Sequence, residues 1–331
     1  MNAGLHLLVG FKGLTPDEEL KSIIRDFRIG GIVLFRRNIQ SPDQLLMLLE
    51  ETQAFARETL GRPLWVAIDQ EGGPVQRFMP PFTRLPSAQE LALQGPQAVV
   101  EWSAKAAADL RRMKIQINLA PVLDVMPEGK SHFMEARSLG SAPERVAQLG
   151  SLWIKTLQEN GISATAKHYP GLGQAESDPH HYAPVIRWQN EQAMQRDLKP
   201  FREAVKAGVH CFMTSHALYP YLDPDWPATL SPKINKEWLR QQLGFEGVLL
   251  SDDLDMAAVS ERYSWDRMVR QGLLASIDFF LLCQRSENIE PFSRALSNAI
   301  ARDPALEEAH QQSLFRIEKL FRRHGIEPPL P

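Results

Sequence analysis

Residues 246–253 read EGVLLSDD, a short apolar run that ends in polar residues. The apolar part has the length of a strand, and such a continuous run is typical of a buried one. Seven further apolar runs of similar length lie at 5–9, 31–35, 64–69, 115–119, 162–166, 209–213 and 277–282. Long amphipathic stretches separate the runs, so the sequence predicts eight strands that alternate with helices.

The stretches between the runs carry signals for helix starts and ends. Thr15-Pro16-Asp17-Glu18 has the pattern of a capping box with proline at the first helical position, and Ser41-Pro42-Asp43 repeats that opening. Gly161 and Gly208 are predicted to end the helices that precede them. After the last strand, helical sequence continues to about His324.

A barrel and an open doubly wound sheet both satisfy this alternation. The polar residues favour the barrel, because they follow nearly every strand and a barrel builds its active site at the carboxyl ends of its strands. An open sheet concentrates its chemistry near one switch point, and no GxGxxG motif follows a strand. We therefore predict an α/β protein, a single catalytic (β/α)8 TIM-type barrel over residues 1–331. The polar groups are Arg36–Asn38, Asp69–Arg77, Asp124, Lys167–His168, His216 and Asp252–Asp253.

The composition is ordinary for a globular enzyme, with 331 residues, 44% hydrophobic and 23% charged, and a net charge of −3. No basic stripe appears, so we expect neither nucleic acid nor a membrane as a partner. The N-terminal apolar run is too short for a secretion signal, and no later run is long enough to span a bilayer. We expect a cytoplasmic monomer in which Cys211 and Cys283 are buried thiols, although a disulfide between them stays open.

The first group of side chains suited to binding or catalysis consists of Lys167, His168, Asp178 and His180. Lys167 and His168 follow a strand and suit hydrogen bonds to the hydroxyls of a polar ligand. Asp178 precedes His180 by two residues, so a turn can bring its carboxylate to one imidazole nitrogen. That contact fixes the tautomer and leaves the other nitrogen to transfer a proton. The alternative is a solvated loop in which His180 and His181 have no role.

Asp252 and Asp253 close the strand at 246–251. Because side chains alternate along a strand, we expect one of them to point into the barrel mouth and the other to cap the following helix. A carboxylate at this position can attack an anomeric carbon and form a covalent glycosyl-enzyme. The alternative is that both carboxylates cap the helix.

Asp69 and Arg77 flank paired glycines that permit a tight turn. A carboxylate accepting two hydrogen bonds suits vicinal sugar hydroxyls, while a purely structural Asp–Arg pair stays open for Arg77. Arg137 is expected to reach the site from the long loop after the fourth strand. Asp124 is expected to have a structural role, anchoring Arg137 or orienting Lys167.

Together these segments resemble the bacterial β-N-acetylglucosaminidases of glycoside hydrolase family 3. The K-H-[FY]-P-G-x-G…D-x-H…P pattern of that family is highly specific, and residues 167–184 match it with the same spacing. Residues 251–256 resemble the family's nucleophile segment. Leu172 stands where the family often has His, which removes one polar contact. Pro179 stands where Ser is usual, which stiffens the loop.

The resemblance implies that Asp252 is the nucleophile with Asp253 in support, and that His180 is the general acid/base with Asp178 as its partner. It implies a retaining reaction that removes N-acetylglucosamine from cytoplasmic muropeptides during peptidoglycan recycling. We expect neither a cofactor nor a metal ion. The expected substrate-binding residues, with Arg77 added from the turn described above, are Asp69, Arg77, Arg137, Lys167 and His168.

Other functions stay open on the sequence alone. A β-glucosidase of the same family would use the same residues. A Schiff-base aldolase would use Lys167. A metal-dependent barrel hydrolase would need His168, His180, His181 and Asp252, but their spacing matches no compact metal signature. A sugar-binding barrel without catalysis is the remaining alternative.

Overall fold

The structure, a computed structural model, describes residues 3–129, 132–175 and 184–326. Eight parallel strands pair in chain order, and the last pairs with the first, so the sheet closes into a barrel. The predicted barrel is therefore confirmed. Its strands are β1 (Leu7–Gly10), β2 (Gly31–Leu34), β3 (Trp65–Ile68), β4 (Ile117–Asn118), β5 (Ser163–Tyr169), β6 (Cys211–Thr214), β7 (Val248–Asp253) and β8 (Phe279–Leu282).

Helices connect the strands. The α-helices are α1 (Glu18–Phe27), α2 (Pro42–Leu60), α3 (Ala88–Gln94), α4 (Pro96–Arg112), α5 (Pro143–Glu159), α6 (Glu191–Lys206), α7 (Ala257–Ser260), α8 (Trp265–Leu274), α9 (Ile289–Arg302) and α10 (Pro304–Arg323). A π-helix, Lys233–Gln242, lies between β6 and β7, and short 3₁₀ segments are Ala3–His6, Arg36–Asn38, Glu135–Arg137, Ala228–Leu230 and Ser286–Asn288. Two antiparallel ribbons are separate from the barrel sheet, Gln70–Gly72 with Val75–Gln76 and Leu218–Tyr219 with Asp223–Pro227.

The strand bounds differ from the prediction at several points. β1 begins at Leu7, because the preceding residues form a 3₁₀ turn. β4 is reduced to Ile117–Asn118, whereas β5 continues to Tyr169. β7 extends to Asp253, so both carboxylates belong to the strand itself. Apolar runs locate a strand well, but its ends depend on hydrogen bonds to its neighbours.

The helix caps are mostly as predicted. Ser41 caps α2 by accepting the Gln44 N–H at 3.1 Å. Glycines with positive φ, Gly161 and Gly208, follow α5 and α6. The prediction of a capping box that starts at Thr15 is wrong, because Asp17 is the N-cap of α1. No helix in the described part of the chain combines the length and apolar character needed to cross a bilayer.

The C-terminal helix closes one end of the barrel. Ile317, Leu320 and Phe321 of α10 pack in the same apolar cluster as the side chains inside the barrel. The Phe321 ring lies 4.4 Å from the ring of Trp65, the first residue of β3. α10 therefore covers the amino ends of the strands, and only the carboxyl ends are left for a site. Both cysteines are free and buried, as predicted.

Candidate active site

A cavity of about 570 Å³ opens at the carboxyl ends of the strands. Its walls carry the described residues that the sequence predicts for the site, so the barrel brings them together from the ends of four strands, β3, β4, β5 and β7, and the loops that follow them. Asp178, Pro179 and His180 lie outside the described residues. The predicted residues that line the cavity are Asp69, Arg77, Arg137, Lys167, His168 and Asp252.

Buried ion pairs connect the residues on one side of the cavity. Lys167 Nζ lies 2.8 Å from Asp69 Oδ1 and 2.6 Å from Glu71 Oε1. Arg137 binds both oxygens of Glu71, at 2.8 and 2.9 Å. Arg77 Nη2 donates to Asp69 Oδ2 at 2.9 Å. Two carboxylates and three cations thus hold one another in fixed positions.

This pairing outweighs burial in setting protonation states. Burial alone would raise the pKa of Glu71, but Arg137 and Lys167 lower it to about 2. The pKa of Asp69 is also held below its usual range, because Lys167 and Arg77 outweigh its burial. Burial would lower the pKa of Lys167, yet Asp69 and Glu71 raise it. All three groups are therefore charged at neutral pH.

Glu71 is the residue that the sequence analysis missed. It joins Arg137 to Lys167, which no other described carboxylate does. A signal was present, because Glu71 follows Asp69 by two residues and side chains two apart share a face of an extended chain. The paired glycines that follow predict a turn, which does not carry the alternation of an extended chain.

The turn after β3 presents Arg77 as predicted. Gly72 and Gly73 have φ angles of 100° and 55°, and a Cβ atom on Gly73 would lie 2.6 Å from that of Ser87. The side-chain oxygen of Gln70 accepts the Arg77 N–H at 2.9 Å. Arg77 Nε is buried and has no partner among the described residues. Arg77 therefore forms the ion pair and still offers a donor.

Asp252 and Asp253 both line the cavity, so the expectation that only one would face it was wrong. The pairing of β7 with β8 changes register between Leu250 and Asp253, and such an irregularity breaks the alternation of side chains. Asp252 Oδ1 accepts the Asp253 N–H at 2.8 Å, which orients its carboxylate.

Asp253 does not cap the following helix. Its Oδ1 accepts N–H groups from Asp255, at 3.1 Å, and from Cys283 after β8, at 3.0 Å. The N-cap of α7 is Met256, without a side-chain cap. Burial and then the charge of Asp255 raise the pKa of Asp253 to about 7. Asp253 therefore joins two strand ends beside Asp252.

The profile of the glycosyl hydrolase family 3 N terminal domain matches residues 5–319. The chain belongs to glycosyl hydrolase family 3. It is accordingly a glycoside hydrolase, and its barrel is the fold of the structures to which it is similar.

Three relatives illustrate the likeness. A beta-hexosaminidase of Alkalilimnicola ehrlichii is 35% identical over 297 residues, which cover 88% of this chain and 84% of that protein. A family 3 beta-N-acetylglucosaminidase from Paenibacillus has a TM-score of 0.91 and 33% identity, covering 98% of this chain but 62% of that one. NagZ from Neisseria gonorrhoeae has a TM-score of 0.78 and 29% identity, covering 93% and 96%.

In this family 3 chain, Asp124 orients His168. Its Oδ2 lies 2.7 Å from His168 Nδ1, and its Oδ1 accepts the Leu172 N–H at 2.7 Å. The predicted structural role is confirmed, but the partner is neither Arg137 nor Lys167. Because Nδ1 is bound to Asp124, Nε2 of His168 is the nitrogen left for a ligand.

His216 connects β6 to the end of β7. Its Nε2 lies 3.0 Å from the Asp253 carbonyl oxygen, and its Nδ1 lies 2.8 Å from Thr229 Oγ1. The predicted polar residue after β6 thus supports the backbone beside Asp252. Leu172 lines the cavity with its apolar side chain.

Proposed function

We propose that the chain is a retaining exo-β-N-acetylglucosaminidase whose catalytic domain is the single barrel over residues 1–331. One observation carries the proposal: the Asp252 carboxylate lines the same sugar-sized cavity as the buried network around Lys167. A carboxylate facing fixed donors and acceptors is the arrangement that nucleophilic attack on a bound sugar requires.

The network suits the hydroxyls of one terminal sugar ring. Asp69 accepts hydrogen bonds, whereas Lys167 and Arg137 donate them, and His168 offers Nε2. Because the network's ion pairs fix these groups before substrate arrives, little side-chain entropy is lost on binding. A pocket closed by ion pairs on one side favours removal of a terminal residue, which is the basis for proposing an exo-acting enzyme.

In the proposed mechanism, an oxygen of Asp252 attacks the anomeric carbon while His180 protonates the departing glycosidic oxygen. The C–O bond to the leaving group breaks as the bond to Asp252 forms. His180, now neutral and oriented by Asp178, removes a proton from water, which attacks the anomeric carbon and releases Asp252. Two inversions leave the configuration unchanged, so the reaction is retaining.

The proposed physiological substrate is supported by the resemblance to family 3 β-N-acetylglucosaminidases and by the names of the relatives. We propose N-acetylglucosamine removal from cytoplasmic muropeptides in peptidoglycan recycling, by a monomeric enzyme. Leu172 places an apolar side chain where the family often has His. The part of the cavity that binds the leaving group should therefore be less polar.

A Schiff-base aldolase is disfavoured by the surroundings of Lys167. Imine formation requires a neutral amine. Asp69 and Glu71, within 2.8 Å of Nζ, raise the pKa of Lys167 and hold the ammonium form. Borohydride with a carbonyl substrate should therefore leave Lys167 unmodified.

The test combines rate and trapping measurements on the full chain. The aryl β-N-acetylglucosaminide should be hydrolysed faster than the aryl β-glucoside, and the reverse order would make the chain a β-glucosidase. A 5-fluoro N-acetylglucosaminyl fluoride should label Asp252, as located by peptide mass spectrometry. Labelling elsewhere, or initial release of the α-anomer in NMR, would refute the assignment of a retaining mechanism.

A further inference from the structure

The described chain on each side of segment 176–183, at Gly171 upstream and at Ile186 and Trp188 downstream, rests on one buried group of side chains. Trp188, Asp197 and Tyr219, here called the anchor cluster, are 6%, 1% and 0% exposed. None of them lines the catalytic cavity. The segment carries Asp178 and His180. The proposed function assigns proton transfer to His180, with Asp178 as its partner.

The upstream end is held through Tyr219. Its Oη donates to the Gly171 carbonyl oxygen at 2.9 Å and lies 2.8 Å from Ser215 Oγ. Gly171 has a φ angle of 131°, and a Cβ atom there would lie 3.2 Å from Cβ of Asp197. The chain leaving β5 therefore passes tightly over the anchor cluster.

The downstream end is held by the same cluster. The Trp188 ring lies 5.0 Å from the Tyr219 ring, and its Nε1 donates to Asp197 Oδ2 at 2.8 Å. Nearby, the Ile186 N–H donates to the Leu218 carbonyl oxygen at 2.8 Å. Leu218 and Tyr219 are adjacent, so both ends of the segment converge on one short strand.

Asp197 extends the connection to the loop after β4. Its Oδ1 lies 2.7 Å from Arg196 Nη1. Arg196 Nη2 donates to the carbonyl oxygens of Met126, at 2.8 Å, and Ser141, at 3.0 Å. These residues flank Arg137 in the chain, so one buried group joins that loop to both ends of the segment.

We propose that Trp188, Asp197 and Tyr219 are positioning residues for the proton transfer assigned to His180, acting through their contacts with the chain before residue 176 and after residue 183. The inference rests on the proposed function, because it concerns the proton transfer assigned to His180. A general acid must lie within hydrogen-bond reach of the leaving oxygen, and a small displacement lowers the rate steeply. Residues that fix the chain on both sides of 176–183 should therefore affect the rate of this proton transfer without touching substrate.

The test uses Trp188→Phe and Tyr219→Phe in the full chain, with Trp153→Phe as matched control. Trp153 is also buried, but its Nε1 has no partner among the described residues, so the control loses indole volume without losing a described hydrogen bond. Rates are measured on aryl β-N-acetylglucosaminides from 2,4-dinitrophenyl to phenyl. A displaced acid slows the poor leaving group most, by about 10- to 100-fold, and the activated one little.

Asp197→Asn and Asp197→Ala supply the second measurement. The Asn side chain keeps an acceptor for Trp188, whereas Ala removes it, so Asn should restore much of the phenyl-glycoside rate. Equal losses on all aryl substrates, or no difference from Trp153→Phe, would overturn the inference. His180→Ala separates the two proposals: if it shows no dependence on the leaving group, the acid assignment itself fails and the inference fails with it.

Discussion

Each end of the barrel contains a carboxylate buried between two cations, but the surroundings of the two carboxylates differ. At the carboxyl end, Glu71 lies between Arg137 and Lys167. At the amino end, Asp278 lies between Arg240 and Arg316, at 2.8 Å from each. The surroundings differ, because one arrangement forms the wall of a cavity and the other lies beneath α10.

At the closed end, the charged and polar side chains form hydrogen bonds with other groups of the protein. Asp278 also accepts the Leu249 N–H, and Arg240 donates to the Gly247 carbonyl oxygen. His6 and His310 bind each other at 2.7 Å. At the open end, Asp252 and His168 line the cavity. We therefore propose that a buried charge cluster provides stability where it is covered, and binding where it borders a cavity.

The largest expected effect belongs to Asp252→Ala, which removes the proposed nucleophile at the open end. We expect kcat to fall on the order of 10⁴-fold or more. The free energy of unfolding should change little, because the described hydrogen bond of Asp252 is to its own neighbour, Asp253. Steady-state rates and urea unfolding check both parts. Substantial residual turnover would transfer the nucleophile role to another carboxylate.

Asp278→Asn should have the next largest effect, on stability alone. It leaves Arg240 and Arg316 buried without their counter-charge, which costs about 3–5 kcal/mol. Urea unfolding measures this loss, and KM of the folded fraction should equal that of the parent chain. A changed KM would mean that the two ends are coupled, which would contradict the separation of a structural cluster from a binding cluster.

Glu71→Gln tests the corresponding carboxylate at the open end. Losing the charge leaves Arg137 without its paired carboxylate and Lys167 with Asp69 alone, and we expect kcat/KM to fall about 10- to 100-fold. The stability loss should be smaller than for Asp278→Asn, because Lys167 keeps Asp69 as a counter-charge, whereas Arg240 and Arg316 have no described carboxylate partner besides Asp278. Equal destabilisation by the two variants would contradict the distinction between a binding cluster and a structural one.

The smallest effect concerns acid stability. Burial, and then the nearby His310, lower the pKa of His6 from 6.5 to about 4. The unfolded chain therefore binds more protons between these pH values, and stability falls as the pH drops from about 6.5 to 4. The contribution of Glu71, whose pKa falls from 4.5 to about 2, persists until the pH is below about 4.5.

His6→Asn should flatten the dependence of the urea midpoint on pH in this window, while Asp252→Ala should retain it. If the urea midpoint of His6→Asn depends on pH as steeply as that of the parent chain, other groups cause the loss of stability at low pH. His210 and His324, also at the closed end, have pKa values lowered to about 4 by burial and are the first to examine.

Prediction from the sequence succeeded where the signal was local. Apolar runs located the strands, and the polar residues that follow them located the cavity wall. It failed where backbone register intervened, as at Asp252 and Asp253, since an irregular pairing with β8 cannot be read from alternation. It also missed Glu71 and the partner of Asp124, because ion-pair partners are selected in space.

The barrel and the polar side chains at its carboxyl end can be predicted from the sequence, because hydrophobic period and strand-end polarity are local properties. Which charges pair depends on tertiary contacts, as for Lys167 and Asp69, 98 residues apart. Tertiary contacts also decide that α10 closes the amino end and that Trp188, Asp197 and Tyr219 meet. Such contacts depend on how distant elements pack, which local periodicity does not encode.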